Sequence, residues 1–228
     1  MGARGLEQPF RGRIDGMQNM TNSVQTYGWN SDQRPRSCNY LAPVVLAWLH
    51  QLNPRTVIDL GAGNGALCRT MAQAGYVVAG IEPDAAGVEI ARRQCPQAQI
   101  YRLSVDDTAD EVLRDHPDGF DIAVSTEVLE HLYEPRRLPA FAHTVLRRGG
   151  HLLMTTPYHG YLKNLAISVI GGWDRHADPL WDGGHIKFFS RRTITRLLNE
   201  AGFCVVSFSG VGRLPYLWKS MVVVAVKE

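Results

Sequence analysis

The run Ser125-Thr126-Glu127-Val128-Leu129-Glu130-His131 sets two carboxyl groups and an imidazole close together. If a helix opens at Glu127, then Glu127, Glu130 and His131 stand at i, i+3 and i+4 and share one face. Such a set can do two kinds of chemistry. Its oxygen and nitrogen donors suit Mg²⁺, Mn²⁺ or Zn²⁺. Alternatively, His131 can be a general base that takes a proton from an attacking group. The plain rival is structural: Glu127 faces a ligand and His131 merely caps a helix.

A second set lies upstream, in Val57-Ile58-Asp59-Leu60-Gly61-Ala62-Gly63-Asn64-Gly65. Glycines between a strand and a helix permit a tight turn and let a ligand approach the backbone. The helix start then offers free N–H groups. Glu82 closes the next strand in Gly80-Ile81-Glu82-Pro83-Asp84, roughly twenty residues beyond Asp59, the spacing of an acid that grips ribose hydroxyls. Asp59 and Glu82 are both unhelpful to a pyrophosphate. Asp59 instead suits a ligand with a cationic amino-acid end. A nicotinamide-dependent oxidoreductase is disfavoured for that reason, and because Gly65 sits at the fifth position of the dinucleotide pattern.

These residues need a frame. Short apolar segments alternate with helical patterns, which predicts a parallel sheet with crossover helices. Expected strands are 56–60, 77–81, 100–103, 120–125, 151–155, 204–209 and 221–226. A helix over 40–52 places Leu41, Val44, Trp48, Leu49 and Leu52 inward. Leu67 and Met71 begin another that Gly75 ends. A third carries Leu138, Phe141, Val145 and Leu146 and stops at Gly149-Gly150. A fourth starts at Ser190 as N-cap, with Ile194, Leu197, Leu198 and Ala201 inward and Gly202 as its stop. The last two strands follow one another across 210–219 without a helix, which predicts an antiparallel hairpin at one end of the sheet.

The chain has 228 residues, 45% hydrophobic and 20% charged, enough for one α/β domain and few for two. A net charge of +2 does not by itself argue for a nucleic-acid partner, nor does it exclude one. Four cysteines, Cys38, Cys68, Cys95 and Cys204, form no C-x-x-C pair, so buried inert thiols in a reducing cytoplasm are expected. No apolar stretch reaches transmembrane length, and the N-terminus lacks a signal-peptide core.

The D-x-G-x-G-x-G loop, the second-strand acid and Phe120-Asp121 opening the fourth strand resemble class I S-adenosylmethionine-dependent methyltransferases. The resemblance runs from about residue 40 to the C-terminus and implies a Rossmann-like, seven-stranded, mostly parallel sheet. It places Gly61, Gly63 and Gly65 at the methionine moiety and Glu82 on the ribose. The resemblance also implies Ser104-Val105-Asp106 at the adenine, with Asp106 accepting the amino hydrogen. Residues 1–20 then read as a flexible arm and 21–228 as the methyltransferase domain.

The E-V-L-E-H run is similar to that of ubiquinone-biosynthesis O-methyltransferases, and to that of small-RNA 2′-O-methyltransferases. In both it implies a metal that orients a hydroxyl pair. The RNA enzymes add a histidine in a His-x-Lys-Phe context, and His185-Ile186-Lys187-Phe188 stands in a comparable place. Glu127, Glu130, His131 and His185 thus form a candidate metal quartet. Glu127, His131 and His185 are the catalytic candidates.

The segment from Pro157 to Trp173 is long for an α/β connection. Its aromatic residues, with Trp181, Tyr27 and Trp29, could wall a pocket for a flat or greasy acceptor. It could equally pack as a core helix, or rest on a membrane surface. Arg34 and Arg36 could bind the cofactor carboxylate or simply be solvated. The expected activity is methyl transfer from S-adenosylmethionine to a small aromatic or isoprenoid acceptor at oxygen, with a divalent cation as an optional cofactor. Alternatives are RNA ribose 2′-O-methylation, N- or C-methylation of a heterocycle, and cofactor binding without turnover. Oligomeric state does not follow from the sequence.

Overall fold

A computed structural model describes residues 28–178, 180–181 and 184–228. The expected arm over 1–20 and Tyr27 lie outside the described residues. Strands β1 (Thr56–Leu60), β2 (Val77–Ile81), β3 (Gln99–Tyr101), β4 (Phe120–Thr126), β5 (Leu146–Pro157), β6 (Phe203–Val211) and β7 (Ser220–Lys227) form one sheet in the order β3-β2-β1-β4-β5-β7-β6. Pairing is parallel from β3 to β5, and β7 runs antiparallel to both its neighbours. This is a doubly wound, mostly parallel sheet with a terminal antiparallel hairpin, as the sequence predicts.

Alternation along the strands sorts the core into two layers. Val57, Ile122, Val124, Val222 and Val224 pack under helices α1 (Cys38–Leu52), α2 (Ala66–Gln73) and α3 (Ala85–Gln94). Ile58, Ala123, Leu152, Met221 and Val223 face the other way, toward α4 (Asp110–Asp115), α5 (Arg137–Val145) and α8 (Arg191–Glu200). Each layer buries one face of a sheet whose strands are covered on both sides.

Several expectations shift. Helix α5 ends at Val145, before the glycines, because Leu146 already pairs with Phe120 and starts β5. The inward stripe of α1 is Cys38, Leu41, Ala42, Val45 and Leu49, with Val44, Trp48 and Leu52 only half-buried beside it. Strand β3 is shorter than expected, while β6 and β7 are longer. Ser190 caps α8 as anticipated, accepting from Thr193 N in a capping box. Cys38, Cys68 and Cys95 are buried, but Cys204 is exposed on β6, an edge strand, and does not fit the buried reading.

The insertion after β5 forms α6 (Tyr161–Val169) and the single turn α7 (Trp173–His176). It is not a core helix. Its buried residue is Lys163, whose Nζ donates to the carbonyls of Tyr158 (2.7 Å) and Lys219 (3.3 Å). Leu162, Leu165, Val169 and Ile170 point outward, the last two each 77% exposed. Among the described residues, no helix is long and apolar enough to cross a membrane.

Candidate active site

In the sheet order, β1 and β4 are the neighbours at which the winding reverses. In open α/β sheets, ligands enter the crevice at the carboxyl ends of such strands. A cavity of about 710 Å³ opens there, lined among others by Asp59, the Gly61–Asn64 backbone, Glu82, Glu127, His131, Trp181 and His185.

Its floor is the glycine loop. Gly61, Gly63 and Gly65 all take positive φ, at +92°, +54° and +79°. The backbone N–H groups of Gly61 and Ala62 both donate to Ile81 O, which ties the loop to β2. A Cβ on Gly65 would lie 2.7 Å from Ala91 Cα, so this glycine also lets α2 and α3 meet. Glu82 Oε2 accepts from Gly63 N at 2.8 Å, and Oε1 accepts from Asp84 N at 2.9 Å. Each carboxylate oxygen keeps a second lone pair, which is what a ribose diol needs. Burial raises the Glu82 pKa, while those two N–H groups pull it back.

Asp59 is almost wholly buried. Its Oδ2 accepts from the Cys68 thiol at 3.4 Å, and Oδ1 has no hydrogen-bond partner among the described residues. Burial pushes it up to about 7. An orphaned buried carboxylate oxygen beside a cavity suits a cationic ligand group. Ser104, Asp106 and Asp107 form the wall past β3. Val105, between Ser104 and Asp106, packs its side chain into the core. Arg34 is engaged locally, donating to Cys38 O at 3.3 Å.

The chemical end differs from the expected single helix face. Glu127 does not open a helix: it takes φ +55°, and only Leu129–His131 forms a 3₁₀ turn. Its carboxylate turns back to the sheet, accepting from Thr155 Oγ1 at 2.8 Å and from Ser220 Oγ at 3.1 Å. The Tyr40 hydroxyl lies 3.1 Å from that serine oxygen. Burial raises the Glu127 pKa against these two hydrogen bonds.

Glu130 points inward and is fully buried. Its Oε2 accepts from Thr156 Oγ1 at 3.0 Å, and Oε1 lacks a hydrogen-bond partner among the described residues. That oxygen faces His131 Nε2 at 3.8 Å and His185 Nε2 at 3.9 Å. Burial, reinforced by the neighbouring Glu127, raises Glu130 well above the usual carboxylate range. His185 is pushed down to about 4, first by burial and then by His131.

The distant histidine is delivered by the backbone. Ile186 N and Lys187 N both donate to Glu130 O, at 3.0 and 3.1 Å. His131 Nδ1 lies 3.1 Å from Gly184 O. A carbonyl only accepts, so Nδ1 donates to it, and Nε2 is the ring nitrogen turned toward Glu130. Glu130, His131 and His185 each bring a ligand atom within 4.8 Å of the others. Of the four residues expected to act together, the structure brings these three into one cluster, and Glu127 stands outside it.

The methyltransferase-domain family model matches residues 32–208. The chain belongs to that family.

It is a class I S-adenosylmethionine-dependent methyltransferase. This methyltransferase is 25% identical over 197 residues to the ubiquinone biosynthesis O-methyltransferase of Aeromonas salmonicida, covering 85% of this chain and 83% of that protein. The namesake from Burkholderia pseudomallei is 27% identical over 192 residues, covering 82% of each chain. Magnesium protoporphyrin IX methyltransferase from Synechocystis, solved with bound SAH, shares the fold at a TM-score of 0.63 and 19% identity, over 82% of each chain. So does the 1,6-didemethyltoxoflavin-N1-methyltransferase of Burkholderia thailandensis, at 0.58 and 19%, over 81% of this chain and 76% of that one.

The sequence reading missed the supporting hydroxyls Thr155, Thr156 and Ser220, and Tyr40. The two threonines and the serine signalled themselves only as hydroxyl residues at the ends of β5 and β7, and Tyr40 only as a polar-tipped residue of α1. Hydrophobic patterning says nothing about which carboxylate they meet.

Proposed function

We propose that this methyltransferase transfers a methyl group from S-adenosylmethionine to a hydroxyl oxygen of a small aromatic or isoprenoid acceptor, with Glu130, His131 and His185 holding a divalent cation beside it. The observation that carries this reading is the buried Oε1 of Glu130, which has no hydrogen-bond partner among the described residues and is set between two imidazole nitrogens. Such an oxygen costs about 1–3 kcal/mol unless something meets it, and one carboxylate with two imidazoles suits Zn²⁺ or Mn²⁺. The names of the curated relatives support an oxygen acceptor.

When bound, S-adenosylmethionine supplies the electrophilic methyl group and the cation supplies Lewis acidity toward the acceptor oxygen. The chain does the rest. The glycine-loop backbone and Glu82 hold the ribose and methionine end, Asp59 balances the positive charge, and Asp106 meets the adenine. The Trp181 indole, 5.7 Å between ring centroids from His131, walls the acceptor side for a flat ring. The outward apolar face of α6 suits a lipophilic acceptor or peripheral contact with a bilayer.

A second reading is favoured by the His131 tautomer. With Nδ1 donating to Gly184 O, Nε2 is the nitrogen that would take the acceptor proton without a cation.

The test is calorimetric titration of chelated protein with Zn²⁺, Mn²⁺ and Mg²⁺, alongside methyl transfer from labelled S-adenosylmethionine to phenols, catechols and short RNA. A metal heat lost in Glu130→Ala and His185→Ala, with catechol turnover that follows metal, supports the first reading. Metal-independent phenol turnover lost in His131→Ala supports the second. Turnover of RNA alone, or cofactor binding without any product, overturns both.

A further inference from the structure

Trp29 lies where two glycines make room for it. A Cβ on Gly63 would fall 2.5 Å from Trp29 Cζ2. A Cβ on Gly87 would fall 2.8 Å from Trp29 Cδ1 and 3.1 Å from Glu82 Cγ. The positive φ of Gly63 explains that glycine by itself. Gly87 has no such reason: it sits inside α3 without a positive φ. Glycine there costs about 1 kcal/mol relative to alanine. The helix forgoes that stability where the indole and the Glu82 stem approach its backbone.

The segment carrying Trp29 is tied down from the cofactor side. Gly28 N donates to Asp84 Oδ2 at 3.1 Å, and the other oxygen of Asp84 caps α3 by accepting from Ala86 N. Asn64, within the glycine loop, donates its amide to Ser31 O at 3.2 Å and Gln33 O at 2.8 Å. Gln94, at the end of α3, donates to Asp32 O at 2.7 Å. The loop, the β2–α3 turn and α3 therefore all grip one short stretch of chain. Its indole lines the same cavity as Gly63 and Glu82.

We propose that residues 28–34 form a strap that retains the cofactor, with Trp29 as its inner wall at the ribose end, and that lifting this strap governs release of the demethylated cofactor. The proposal rests on the cofactor reading above and adds a positioning residue to it. Asn64 and Asp84 belong to the loops that the ligand touches, so ligand binding and strap closure favour one another.

The experiment is stopped-flow release of S-adenosylhomocysteine, with equilibrium affinity for S-adenosylmethionine, in the full chain. Trp29→Ala is expected to speed release about tenfold and weaken affinity by a similar factor. Trp29→Phe, which keeps a ring, should recover most of that loss. Gln94→Ala removes a strap anchor that does not line the cavity and should speed release about threefold. Differences in fluorescence quenching between wild type and Trp29→Phe isolate the indole's response to ligand. Gln94→Ala carries the test if Trp29→Ala does not fold. Release rates within twofold of wild type in both Trp29→Ala and Gln94→Ala overturn the strap while leaving the cofactor reading intact. Failure of the wild type itself to bind either cofactor form overturns both together.

Discussion

Glu130 Oε1 and His185 Nε2 lie 3.9 Å apart, with the whole of β5 and its insertion between them in the chain. The carbonyl of Glu130 accepts from Ile186 N and Lys187 N, so one residue holds the returning segment by its backbone and faces the histidine with its side chain. A structural role for Glu130 alone does not explain its bare second oxygen.

From this comes a prediction on stability. In chelated protein, Glu130→Gln should be neutral or stabilising, because a buried carboxyl held well above its usual pKa gives way to a neutral amide. Added Zn²⁺ or Mn²⁺ should raise the wild-type melting temperature by several degrees and leave the variant unchanged. Equal metal shifts in both proteins, by thermal denaturation, would count against ligation by the trio.

Asp59 sets a pH dependence. Its folded pKa is raised from 3.8 to about 7. The stability it contributes is complete below the unfolded value and falls as pH rises through the folded one, by at most about 4 kcal/mol. The cofactor-free protein should therefore melt higher at pH 5 than at pH 8, and Asp59→Asn should flatten that slope. Affinity for the cationic cofactor should move the opposite way, tightening as Asp59 deprotonates near pH 7. Calorimetric affinity that is flat across this range in the wild type would remove Asp59 from the cofactor site.

Glu82 joins two tasks, tying down Gly63 N and Asp84 N and offering its remaining lone pairs to a ribose. Glu82→Ala should weaken S-adenosylmethionine binding about 100-fold, or ~3 kcal/mol. Glu82→Gln, which keeps one acceptor, should lose less. A change below threefold in Glu82→Ala would place the ribose elsewhere.

Gly65→Ala should destabilise the fold by about 2 kcal/mol or more. It forces a side chain into φ +79° and against the backbone of Ala91. Urea denaturation without cofactor reads this directly, and an unchanged midpoint would mean that α2 and α3 separate freely.

The sequence by itself determined the alternating β/α frame, the terminal hairpin, the glycine loop and the acid of the second strand. These signals are local. Side-chain periodicity and turn glycines act within one element and its neighbours, so Asp59, Gly61, Gly63, Gly65 and Glu82 fall where their spacing puts them. The ends of elements were less legible: extension at Leu146 is decided by its pairing with Phe120 across the sheet, not by the glycines that follow it.

Only the tertiary structure decided which carboxylate faces the histidines. On a regular helix Glu127 and Glu130 would be equivalent, but the left-handed backbone at Glu127 breaks that face. The hydroxyls of Thr155 and Ser220 take its carboxylate, while Thr156 takes one oxygen of Glu130 and leaves the other to His131 and His185. Those hydroxyls come from β5 and β7, far along the chain, and only the closed sheet brings them together. The same holds for Trp29, whose seat on Gly63 and Gly87 exists only once the strap, the loop and α3 have met.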